Sequence, residues 1–80
     1  MPIEFKRGRA VFYEVVGVEE AELLLEALQR KPQTRVELAD CTHLHTANLQ
    51  VLMAAHPVIA SWPANSELRG WLQATLGVAG

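Results

Sequence analysis

Eighty residues with a formal net charge of −2 describe one small domain, spanning 1–80, rather than several. Half of the residues are hydrophobic and a fifth are charged, so the chain is globular rather than disordered. The acidic balance excludes a domain dedicated to nucleic-acid phosphates.

In chain order, "IEFK" is a short extended run and "KRGR" a turn. Lys6, Arg7 and Arg9 around Gly8 read first as a solvated turn, with an anion or partner contact as the alternative. "AVFYEVVG" has the β-branched and aromatic composition of a strand, which predicts a hairpin of residues 3–6 with 10–16. "VEEAELLLEALQR" predicts a helix, with Ala21, Leu24, Leu25 and Leu28 on one face. Its early glutamates and its terminal Arg30 and Lys31 suit the helix dipole, and Pro32 stops it.

"TRVELADC" is the next strand, with Val36 and Leu38 on one side. "TANLQVLMAA" is a helix apolar nearly all round, interrupted only by Asn48 and Gln50. It is expected to be largely buried, with Leu49, Leu52 and Met53 in the core, and Pro57 ends it. "VIASW" is a third short strand after the hairpin's first and the "TRVELADC" candidate, closed by Pro63. "NSELRGWLQATLG" is the last helix, capped by Asn65 or Ser66, with Leu68, Trp71, Leu72 and Thr75 at helical spacing and Gly77 past its end. The order β-β-α-β-α-β-α predicts an α/β (α+β) fold, a mixed β-sheet with helices on one face.

The stretch "CTHLHTANLQ" concentrates the reactive side chains. If residues 41–45 are extended, Cys41, His43 and His45 point to one side, and a thiolate with two imidazoles suits zinc, with His56 as a fourth ligand. The spacing is neither C-x-x-C nor H-x-x-x-H, and a lone strand cysteine is commonly a small buried hydrophobe. A Cys–His nucleophile pair is a second reading, but no oxyanion loop, orienting carboxylate or phosphate cradle accompanies it, so no catalytic residue and no cofactor are assigned. The third reading is a strand–turn–helix junction with Thr46 as the helix N-cap. The free N–H groups there also suit a phosphate, which makes Thr46 a phosphorylation candidate.

Around this junction the sequence resembles the STAS domains of the anti-sigma-factor antagonist and sulfate-transporter type. Their signature runs roughly as a strand "V-D-L-S", a short connection, and "I-D-S-S-G-L" opening an apolar helix. "VELADCTHLHTANLQVLM" lies over it without a gap. Glu37 falls on the strand acid, Leu38 and Leu44 on apolar positions, Thr46 on the serine phosphorylated in many members, and Leu49 on the leucine. The tail "NSELRGWLQATLG" is similar to the family's "S-P-E-V-R-x-x-L-x-x-T-G". The departures are His45 in place of the aspartate before the serine and Asn48 in place of the glycine two places after it. The family's further strand and helix do not follow, so the resemblance implies a minimal, C-terminally shortened STAS-like domain.

The resemblance implies a non-enzymatic bacterial regulatory module that binds a protein through His43, His45, Thr46, Ala47, Asn48 and Gln50. Trp62 is an outside candidate beside its alternative, a partly buried core aromatic. The implied partner is a kinase-type anti-sigma factor, for a phosphorylation switch, or a transport-complex subunit, for a constitutive adaptor. A homodimer is the other way to cover an exposed sheet edge or helix face. A small metal-binding protein using Cys41, His43 and His45 is the reading from a different class. With one cysteine there is no internal disulfide, which favours a reducing compartment. No apolar segment reaches the ~20 residues of a membrane span. "MPIEFKRGRA" lacks the apolar core of a signal peptide, so a cytoplasmic location without membrane insertion is expected.

Overall fold

In the computed structural model, residues 2–76 are described. Strands β1 (Ile3–Lys6) and β2 (Arg9–Val16) form the expected hairpin, with Ile3 opposite Phe12 and Lys6 opposite Arg9. Gly8 takes φ +77° in the turn, a left-handed conformation that costs a side chain without this freedom about 1–2 kcal/mol. A 3-10 turn (Val18–Glu20) leads into α1 (Ala21–Arg30), so the single predicted helix is a tight turn followed by a regular one. Strand β3 (Arg35–Leu44), α2 (Thr46–Ala55), β4 (Val58–Ser61) and α3 (Ser66–Leu76) follow. Gly77 lies outside the described residues.

The sheet order is β1-β2-β3-β4, with β1–β2 antiparallel and β2–β3 and β3–β4 parallel. Parallel neighbours need crossovers, and α1 and α2 supply them. One core joins Ile3, Phe12, Val16, Val36, Leu38, Cys41 and Leu44 of the strands to Leu24, Leu28, Leu49, Leu52 and Leu72 of the helices. The helices therefore share one face, as the fold class requires. The other face carries polar groups, among them Arg9, whose guanidinium bonds Glu37 at 3.1 Å.

The open face also holds Tyr13. Its hydroxyl is pushed above the usual tyrosine value, first by partial burial and then by the Glu4 and Asp40 carboxylates, with Arg9 opposing. Asn65 caps α3 as expected, accepting the Leu68 N–H on Oδ1 at 2.9 Å.

Three packing expectations are corrected. Leu25 is 37% exposed, because only Leu24 and Leu28 of α1 reach the sheet. Met53 is 42% exposed, and α2 is not largely buried: only Asn48, Leu49 and Leu52 are. The sheet lies under one side of α2, and α1 and α3 do not enclose the other, so an all-round apolar sequence leaves a bare stripe. Trp62 packs half-buried against the core, which is its structural reading.

Candidate functional site

Strand β3 does not alternate through the stretch that carries its reactive side chains. Against β2 it has register shifts between the pairs Val11–Glu37 and Tyr13–Asp40, and again between Glu14–Cys41 and Val15–His43. At both places β3 advances one residue more than β2, so each is a bulge on β3. Opposite them Glu14 takes φ 51°, a left-handed conformation uncommon for a non-glycine residue. The core positions of β3 consequently run Val36, Leu38, Cys41, Leu44.

This overturns the one-sided array of Cys41, His43 and His45. Cys41 is buried, whereas His43 and His45 are exposed, so the three do not converge on an ion. His56 caps the far end of α2, about 15 Å along the helix at 1.5 Å per residue. Among the described residues no group of three or more His, Cys, Asp or Glu side chains is placed to hold a metal.

Cys41 is instead a core residue, as the small-hydrophobe reading expects. Burial pushes its thiol above the ordinary value, and the thiol donates to the His43 carbonyl at 3.5 Å, a bond that only the protonated form makes. Both burial and the raised thiol oppose thiolate chemistry. Native protein should therefore react with an aromatic disulfide reagent at least ~100-fold more slowly than denatured protein, because access requires opening of the fold. Stoichiometric labelling within the mixing time would show that Cys41 is not in the core.

The helix junction is real, but its cap is not Thr46. His45 is the N-cap of α2, extended at φ −64° and ψ 144°, and its Nδ1 accepts the Ala47 N–H at 3.0 Å. An imidazole nitrogen accepts only through its lone pair, so it is the acceptor side of the ring, at Nδ1, that faces the helix end. Thr46 is the first helical residue and is exposed. The His45 N–H also donates to the Val16 carbonyl at 2.9 Å, which fixes the start of α2 against the end of β2.

Asn48 strengthens the same link and is corrected as a contact residue. It is 0% exposed, and its Nδ2 donates to the Gly17 carbonyl at 2.8 Å and the Val16 carbonyl at 3.4 Å. An amide donor was the answer to two backbone oxygens inside the fold, and a partner cannot touch it. Ala47 is half-buried.

The surface left at the carboxyl ends of β2 and β3 therefore comprises His43, His45, Thr46 and Gln50, with Ala47 at its edge. Val15, the strand partner of His43, is 58% exposed beside them and was not anticipated. The alternation of "FYEVV" places Val15 opposite the core residue Val16, which is the signal that could have found it. The arrangement is a tethered helix end whose first residue, Thr46, is exposed, with exposed His43, His45 and Val15 on the adjoining strand ends and cap. No family model matches the chain, and no curated protein matches it at a significant level.

Proposed function

We propose that this chain is a non-enzymatic regulatory module that docks on a protein partner through the surface around Thr46. The observation that carries this reading is the exposed Thr46 at the first position of a helix tied to β2 by His45 and Asn48. A rigid support of that kind presents a side chain with little ordering cost on binding. Val15 supplies apolar area, and His43, His45 and Gln50 supply polar specificity around it.

The resemblance to STAS domains, which extends to the element order β-β-α-β-α-β-α, supports the same surface. On this reading the module works in the bacterial cytoplasm on a kinase-type anti-sigma factor or a transport-complex subunit. No helix among the described residues is long and apolar enough to cross a membrane.

A phosphate on Thr46 would meet the positive end of α2, so modification would change the surface without unfolding the helix. One observation favours the constitutive adaptor instead: the residue before Thr46 is an imidazole engaged in capping the helix rather than a free acid for a kinase to read.

The test is recovery of partners from the native host by wild-type and Thr46→Glu baits, with the partners identified by mass spectrometry and the chain's intact mass measured. Loss of one identified partner by Thr46→Glu supports docking at this surface. Equal recovery of every specific partner contradicts regulation through Thr46. A phosphoryl group on Thr46 in host material supports the switch, and its absence under all growth conditions leaves the adaptor.

A further inference from the structure

At the opposite end of the parallel strands, between the β1–β2 turn and the C-terminal half of α1, lies a cleft of about 530 Å³. That volume is within the range of small-molecule sites, roughly 300–1,000 Å³. Its apolar lining is Phe5 and Leu23, 43% and 44% exposed, together with Ala27. Its rim is cationic, and five of the chain's seven Lys and Arg residues line it, although the chain as a whole is acidic.

Arg9 of these five spends its guanidinium on Glu37 across the open face of the sheet. Lys6, Arg7, Arg30 and Lys31 form no ion pair among the described residues, including with Glu26, the one acid of the lining. Arg30 and Lys31 close the negative end of α1, whose dipole amounts to only about half a charge. Lys6 and Arg7 come from the hairpin and line the same cleft as the end of α1, so four cations without an ion pair among the described residues share the half charge of that dipole.

We propose that this cleft binds a small soluble phosphomonoester carried on an aromatic or aliphatic body. The body lies against Phe5, Leu23 and Ala27. The phosphate sits between the hairpin cations and those of α1, where arginine forks match its oxygens. The site is independent of the Thr46 surface, which is built from the other ends of the strands.

The full chain is titrated with naphthyl phosphate, inorganic phosphate and naphthol, with backbone amide NMR shifts as the readout. Naphthyl phosphate should give saturable shifts confined to the β1–β2 turn and the end of α1, with an affinity at least ~10-fold above that of the other two compounds. Arg7→Gln with Arg30→Gln should weaken it at least ~10-fold with an unchanged unfolding midpoint, and Phe5→Ser should weaken it as well. Thr46→Glu should bind as wild type does, which separates this site from the docking surface.

Equal affinity for inorganic phosphate would show an adventitious ion only, and equal affinity for naphthol an apolar patch only. Undiminished binding by the double arginine variant would place the anion elsewhere. Co-sedimentation with phosphatidic-acid vesicles, without response to naphthyl phosphate, would assign the cations to a lipid surface. Each of these four outcomes overturns the proposal.

Discussion

Asn48→Asp should destabilise the protein by about 3–5 kcal/mol near neutral pH, the usual cost of an uncompensated buried charge. The substitution keeps the shape of the side chain and removes its donors. A carboxylate oxygen would then stand where Nδ2 stands, 2.8 Å from the Gly17 carbonyl, at a position with no exposure. Burial and facing carbonyls disfavour the charged form, so the folded carboxyl titrates above the roughly 3.9 of an unfolded aspartate.

The penalty is consequently full above the folded pKa and fades as pH falls toward the unfolded one, where the protonated acid can donate a hydrogen bond again. Asn48→Ala should cost less, about 1 kcal/mol per lost bond, before any cavity term. Both carbonyls keep a backbone donor, His45 N–H on Val16 and Glu20 N–H on Gly17. Denaturant unfolding of both variants at neutral and acidic pH checks this. An aspartate variant no weaker than the alanine variant at neutral pH would mean that Asn48 reaches water.

Leu52→Ala should cost about 2–5 kcal/mol, the range for truncating a buried leucine. Leu52 is fully buried and already borders a small cavity of about 40 Å³ with Pro57, Ile59 and Leu76. The helix cannot slide inward to refill the space. His45 and Asn48 hold its start, and His56 closes its end in a left-handed conformation, with its N–H on the Leu52 carbonyl. A loss near 3 kcal/mol lowers the melting midpoint by about 12–24 °C for a domain of this size.

For 80 residues the whole stability is about 4–12 kcal/mol, so the variant can be largely unfolded at ordinary temperatures. Met53→Ala, one residue along on the exposed stripe, should stay within about 1 kcal/mol. Comparable losses at both positions would mean that α2 is rotated from the face described.

Periodicity was enough for the helices and for the hairpin, because leucine spacing in α1 and β-branched runs in β2 are local signals. The bulges of β3 were not legible. They depend on how Asp40, Cys41 and His43 pair with β2, and no local pattern in "ADCTHLH" records that pairing. The cap was misassigned for a related reason. Local preference ranks threonine above histidine, but the His45 N–H bond to Val16 holds residue 45 in the extended capping conformation and pushes Thr46 into the helix.

A polar residue inside an apolar helix has the local signature of a surface position, whereas Asn48 is polar because two backbone oxygens meet it in the interior. Met53 could not be placed without knowing how much of α2 its neighbours cover. The basic cleft joins Lys6 and Arg7 to Arg30 and Lys31 across more than twenty residues, and only the packing of α1 on the hairpin brings them together.

Thr46, on which the proposed function depends, is an exposed first-turn residue rather than a cap. Thr46→Ala should therefore leave stability within about 0.5 kcal/mol, and Thr46→Glu should fold at least as well, since a carboxylate suits a helix N-terminus. The most direct measurement is the dissociation constant of the purified partner for wild type, Thr46→Ala and Thr46→Glu, with melting midpoints in parallel. The account predicts that Thr46→Glu binds at least ~10-fold more weakly at an unchanged midpoint, while Thr46→Ala stays close to wild type. Equal affinity of all three proteins would contradict docking at this surface.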